Sequence, residues 1–132
     1  MYLPDGFRYR PIWRRHPYLG TRKGVTFGWL DTDHPFTIGH CPPRLLLALE
    51  ETARDPICQM RGFHRCPWCA SGEPYAHPVY QTATGEVIHV GSATLALTDH
   101  QSVRWLAPTL VLHYITSHSY APPERLLCQY RD

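Results

Sequence analysis

The chain has 132 residues, 43% of them hydrophobic and 18% charged, with a formal net charge of +2. This length fits one domain with a modest core, and an aromatic content of 12% argues against disorder. The charge does not by itself indicate a polyanionic partner. The unusual features of so short a chain are its 13 Pro, 9 His and 5 Cys residues.

Residues 1–23 are predicted to form a basic, aromatic arm that precedes a core over residues 24–132. Prolines at three positions interrupt regular structure, so we expect the arm to pack along the surface rather than form a helix. No apolar run follows a basic stretch, and no apolar run approaches the ~20 residues of a membrane span, so we expect a cytoplasmic protein. Residues 1–132 are expected to form a single domain.

In the first half of the core, alternating apolar residues predict a strand over 25–30. Pro43 suits the first turn of a helix, in which Leu45, Leu46 and Leu49 form an apolar stripe. Glu50 and Arg54 stand four residues apart and are expected to pair on this helix, which Pro56 ends.

In the second half of the core, alternating apolar residues predict a β-rich region over 79–98, with strands at 86–90 and 93–97. A return strand is predicted at 103–106. Gly91 and the following serine form either a bulge or a turn. A second helix opens at Pro108, and residues 124–130 add one or two further turns. The predicted fold is therefore α+β: a small, mostly antiparallel sheet with two main helices, stabilised by zinc.

The zinc prediction depends on two pairs of residues, Cys66 with Cys69 and His113 with His118. Two cysteines separated by two residues hold one ion in a tight turn, called here the knuckle, and two histidines on a helix complete a tetrahedron. Residues five apart lie about 140° from each other on an ideal helix, so the last turn must tighten or widen. The soft sulfur and nitrogen donors favour Zn²⁺ over Mg²⁺ or Ca²⁺.

Other assignments of these residues remain open. Rival ligands are His64, Cys41, His77 and Cys128. The knuckle cysteines could instead form a redox pair, but redox proteins of the thioredoxin type begin a long helix at this motif, and the residues after Cys69 do not favour one.

Three functions follow from these patterns. A closed site with four protein ligands indicates a non-enzymatic interaction module, with a protein as the favoured partner. An open zinc site would indicate a hydrolase, in which Asp31, His34 or His64 could act as the base. The arm could alternatively bind nucleic acid through its arginines. These arginines are Arg8, Arg10, Arg14 and Arg15.

Several motifs together resemble a family of small uncharacterised bacterial proteins. The matching residues are 28–31, 34–36, Gly39, 61–69, 91–93, 107–108, 113–115, His118, Tyr120, Pro122 and Pro123. The resemblance spans about residues 28–127 and does not cover the basic arm. It implies one shared fold and one shared site, and it supplies no role. Cys41 and Cys58 lie outside the pattern, and Thr94 stands where an acidic residue is expected.

Overall fold

The computed structural model describes residues 2–9, 23–59, 64–69 and 78–131, which form strands and helices of an α+β fold, as predicted. None of the helices in these ranges has the length and apolar character that crossing a bilayer requires. The elements in chain order are β1 Arg8–Tyr9, β2 Gly24–Thr26, α1 Pro43–Ala53, β3 Val79–Gln81, β4 Val87–His89, β5 Thr94–Thr98, β6 Arg104–Pro108, α2 Val111–His118 and α3 Glu124–Tyr130.

The main sheet has the strand order β1-β2-β6-β5, and β3 pairs with β4 in a separate hairpin. Only the β2–β6 pair is parallel among the described strands, so the prediction of a mostly antiparallel sheet is confirmed. β2 and β6 can run parallel because the chain between them crosses over through α1 and the β3–β4 hairpin.

The beginning of the arm differs from the expectation, because Arg8 and Tyr9 form an edge strand antiparallel to β2. Tyr9 is buried in a small cluster with Trp29 and Leu106, and this apolar contact fixes the strand against the sheet. Residues 10–22 lie outside the described residues, so the rest of the arm prediction stays a prediction.

The predicted strand over 25–30 ends early, at Thr26. The amide of Phe27 still bonds to the carbonyl of Leu106, but Gly28 has a φ of +80° and turns the chain away from the sheet. A Cβ atom at Gly28 would lie 2.6 Å from Val111 Cγ2, so this glycine also lets the chain pass directly over α2.

α1 begins at Pro43 as predicted, but the expected pairing of Glu50 with Arg54 is wrong. Glu50 is buried and accepts a hydrogen bond of 2.6 Å from the Tyr80 hydroxyl. Arg54 instead makes a bidentate ion pair with Glu86, in the turn between β3 and β4. Both side chains therefore connect α1 to the β3–β4 hairpin. These tertiary contacts contribute more to the stability of the fold than an exposed ion pair along one helix would.

Gly91 is the corner that places the knuckle segment beside α2. Its carbonyl accepts a bond of 2.7 Å from the His64 amide, and its own amide donates to Thr109 Oγ1 at 3.0 Å. Its φ is +94°, and an added Cβ atom would lie 2.4 Å from the carbonyl oxygen of His64. The chain therefore forms a tight corner here, which only glycine accommodates without a shift of the backbone.

We expect Gly91→Ala to destabilise the fold more than Gly85→Ala does. Gly85 has a similar φ of +91°, but the nearest atom to an added Cβ is 3.9 Å away, so this control reports the backbone strain alone. That strain costs roughly 1–2 kcal/mol, and the overlap at Gly91 adds about 1–3 kcal/mol. Urea unfolding of both variants measures the difference, and equal losses would show that the contact with His64 is unimportant.

Candidate metal centre

The knuckle is a tight turn that presents two sulfur atoms. The amide of Cys69 bonds to the carbonyl of Cys66 at 3.2 Å, with Pro67 and Trp68 between them. Proline fixes the backbone of the second residue of such a turn, so the local sequence favours this conformation. Cys66 is buried and Cys69 is exposed, so the candidate centre lies at the edge of the core.

The two histidines converge because the last turn of α2 is wider than an ideal helical turn. The amide of Ser119 bonds to the carbonyl of Tyr114, five residues earlier, and Ser119 has the left-handed φ of +56°. The amide of Tyr120 bonds to the same carbonyl at 3.1 Å. The rings of His113 and His118 consequently lie 5.0 Å apart between centroids, which confirms the expectation that the turn must adjust.

The four candidate ligand atoms have the dimensions of a small coordination shell. All four lie within 4.8 Å of one another. The Nε2 atom of His118 is 3.1 Å from the sulfur of Cys66 and 3.4 Å from that of Cys69, and the Nε2 atom of His113 is 3.5 Å from Cys69. Zinc–ligand bonds of ~2.3 Å to sulfur and ~2.0–2.1 Å to nitrogen at tetrahedral angles place such atoms about 3.6 Å apart.

Protonation also bears on what this cluster can bind. Burial lowers the pKa of His113, helped by His118, and therefore favours the neutral imidazole that binds metal ions. Burial raises the pKa of the Cys66 thiol, while hydrogen bonds from the amides of Trp68 and Cys69 to its sulfur act in the opposite direction. Without a cation the thiolate is disfavoured, and a metal ion would supply the missing positive charge.

Aromatic side chains surround the cluster on the knuckle side. Trp68 packs edge-on against Phe36 and Tyr114, with ring centroids 5.3 and 5.8 Å away, and it lies 5.5 Å from His118. Tyr120 in turn contacts Phe36. These rings give the sulfur and imidazole groups apolar neighbours on that side.

The end of α2 is held by two further segments. Residues 37–39 pair with residues 119–121 through bonds such as Ala121 N to Thr37 O at 2.9 Å. The Tyr120 hydroxyl donates to Asp5 Oδ2 at 2.7 Å, and the other oxygen of Asp5 accepts from the amide of Gly28. The position of His118 therefore depends on contacts with distant parts of the chain, including the N-terminal segment.

The described rival ligands lie outside the cluster. The Cys41 thiol contacts the carbonyl of Pro42, and burial raises its pKa to about 11. Cys128 is exposed on α3, and the side chain of His64 is not among the grouped donors. His77 lies outside the described residues, as do Arg10, Arg14 and Arg15 of the arm.

Two of the residues considered as the base of a hydrolase, Asp31 and His34, contact each other. Asp31 Oδ1 lies 2.7 Å from His34 Nδ1, and this hydrogen bond lowers the pKa of Asp31. The His34 ring stacks on Tyr2, with centroids 3.8 Å apart. The pair therefore holds residues 31–34 against the N-terminal segment. The described cluster of candidate ligands contains no carboxylate.

Sequence reasoning did not identify the residues that hold the ligands in place. Ser119 carries no signal for a left-handed conformation, which glycine and asparagine adopt more readily. Asp5 is a single polar residue in an irregular segment, and its partners Gly28 and Tyr120 lie far away in sequence. The sequence predicts a bulge or a turn at Gly91, but the contact of Gly91 with His64 is a tertiary feature.

Comparison with known families assigns the chain to a family of unknown function. A family model described as a domain of unknown function, DUF7919, matches residues 1–130, and the chain belongs to this family. The match includes the arm, which lies outside the resemblance noted from the motifs. No curated protein and no solved structure matches the chain at a significant level.

We expect Cys69→Ser and His113→Ala to weaken binding of Co²⁺ or Zn²⁺ by more than roughly 100-fold, because loss of a ligand exceeds the 10–100-fold effect of changing its supporting contacts. Cys128→Ser is the matched control for an exposed cysteine, and His64→Ala tests the rival histidine. Both should leave metal affinity within about threefold of the parent. Titration with Co²⁺, followed by its absorption spectrum, measures all four variants, and a large loss in either control would contradict this ligand set.

Proposed function

We propose that this member of the family is a zinc-binding domain, in which Cys66, Cys69, His113 and His118 hold one structural Zn²⁺ ion. The observation that carries the proposal is the convergence of four donor atoms, from segments 44 residues apart or more, into a group within 4.8 Å. Two sulfur and two imidazole donors are the set typical of structural zinc. Hard cations such as Mg²⁺ and Ca²⁺ prefer oxygen ligands.

A structural role follows from the number of ligands. Four protein donors fill a tetrahedral shell and leave no position for an activated water molecule, which a zinc hydrolase requires. The ion would instead cross-link the knuckle to α2 across a long stretch of chain. Such sites contribute apparent binding energies on the order of 10 kcal/mol to folding.

The domain built in this way is proposed to be a non-enzymatic interaction module, with another protein as its favoured partner. Two features support this role. The candidate ligand set is complete without solvent, and Asp31 and His34 are engaged with each other and with Tyr2. A module of this kind uses the ion to fix a surface rather than to transform a substrate.

We expect the purified protein to carry one equivalent of zinc and to lose stability when a chelator removes it. At zinc concentrations near 1,000 times Kd, binding stabilises the folded state by about 4 kcal/mol, so the melting temperature should fall by roughly 10 °C or more on chelation. Re-addition of Zn²⁺ should restore it, and Mg²⁺ should not. Metal analysis and thermal unfolding provide the measurements, and a metal-free protein of unchanged stability would refute the proposal.

X-ray absorption at the zinc edge distinguishes the structural site from a catalytic one. We expect a shell of two sulfur and two nitrogen atoms, since these are the donors that the described residues bring together in the cluster. An additional oxygen ligand would indicate an open site, and the non-enzymatic role would then be wrong while zinc binding stood.

A further inference from the structure

A cleft at one edge of the main sheet contains an unbalanced group of cations. It has a volume of about 480 Å³, and its lining includes Arg8 from β1, Lys23 and Gly24 at the start of β2, and Arg104 from β6. The described residues that line it include no aspartate or glutamate. We call this region the basic cleft, defined by Arg8, Lys23 and Arg104.

Strand register brings these cations together. Arg8 pairs with Val25, so β1 runs antiparallel to β2 and leads back towards Lys23. Val25 in turn pairs with Trp105 in the parallel ladder, which places Arg104 beside Gly24. The three cations come from separate strands, so their proximity follows from the sheet and not from a charged run in the sequence.

In the described part of the chain, three arginines outside the basic cleft have carboxylate partners. Arg54, Arg125 and Arg131 form ion pairs with Glu86, Asp99 and Glu124 respectively. Among the described residues, no such pair involves Arg8, Lys23 or Arg104. The Nε atom of Arg104 is buried and has no hydrogen-bond partner among the described residues. A buried guanidinium donor left without an acceptor costs free energy.

The acidic residue on the same hairpin does not neutralise the cleft. Asp99 is the carboxylate in the turn between β5 and β6, and its side chain is 1% exposed. It accepts hydrogen bonds from Trp105 Nε1 and Arg125 Nε, and also from the amides of Gln101 and Val103. Both carboxylate oxygens of Asp99 therefore accept hydrogen bonds from these groups and not from the cations of the basic cleft.

We propose that the basic cleft binds phosphate groups, carried either by a nucleic-acid strand or by a small phosphate ester. Guanidinium groups donate parallel hydrogen bonds that match phosphate oxygens, and a cluster of cations favours a multiply charged anion over a single carboxylate. None of the four candidate zinc ligands lines the cleft, so this binding site is separate from the metal centre and independent of the function proposed for it.

The test measures binding to the purified protein by fluorescence anisotropy of a labelled single-stranded oligothymidylate, with inorganic pyrophosphate as competitor. Arg8→Gln, Lys23→Gln and Arg104→Gln should each weaken binding about three- to tenfold, and each should reduce the slope of log affinity against log salt by about 0.7. Arg131→Gln is the matched control, because it removes an exposed cation outside the cleft, and it should change affinity less than about twofold.

The two sources of phosphate give different results, and both support the proposal. A nucleic-acid strand is indicated if pyrophosphate displaces the oligonucleotide only at much higher concentration, whereas comparable affinities indicate a small phosphate ester. Thermal unfolding checks that each variant folds, and Arg8 and Lys23 are exposed, so their variants keep the test valid if Arg104→Gln does not fold. The proposal is overturned if neither probe binds, if polyglutamate competes equally well, or if Arg131→Gln costs as much as the cleft variants.

Discussion

The arrangement of this molecule depends on the close backbone contact between Gly91 and His64. The contact holds the segment that leads into the knuckle against the corner from which β5 and then α2 follow. Because the same glycine also bonds to Thr109, just before α2, one residue sets the position of the knuckle relative to the helix. The convergence of sulfur and imidazole groups at the candidate metal centre follows from this backbone geometry, with zinc as a further cross-link in our proposal.

A chain of this length has a modest core. Individual polar contacts therefore join its segments in addition to apolar packing. Tyr80 with Glu50, Tyr120 with Asp5, and Trp105 with Asp99 each join segments through a largely buried hydrogen bond. Hydrogen bonds of this kind contribute little when they form but cost much when one partner is removed, so they favour a single arrangement of the loops. A metal ion between the knuckle and α2 would act in the same way, with a larger energy. The many prolines are compatible with this construction, because the loops are held at their ends and do not need regular structure.

The candidate metal centre and the basic cleft lie on different elements of one fold, and they present different chemistry. The first combines thiol and imidazole donors with aromatic neighbours, which is suited to a closed and permanent ligand set. The second combines cations that have no carboxylate partner among the described residues, and in our proposal it binds phosphate reversibly. In our two proposals an ion stabilises one region and another region recognises anions, and together they describe a protein whose role is binding. The sequence favours a protein partner, and the proposed phosphate binding adds a second class of ligand.

The sequence by itself determined the α+β class, the start of α1 at Pro43, the region of the β5–β6 hairpin and the identity of the four clustered residues. These features depend on local signals, namely the position of proline, the period of apolar residues and the spacing of cysteine and histidine. Only the tertiary structure decided that Arg8–Tyr9 joins the sheet, that Glu50 turns inward to Tyr80, and that three cations from separate strands meet in one cleft. Each of these depends on which distant segments become neighbours, and a one-dimensional pattern carries no record of strand register or of the partner that a buried polar group will find.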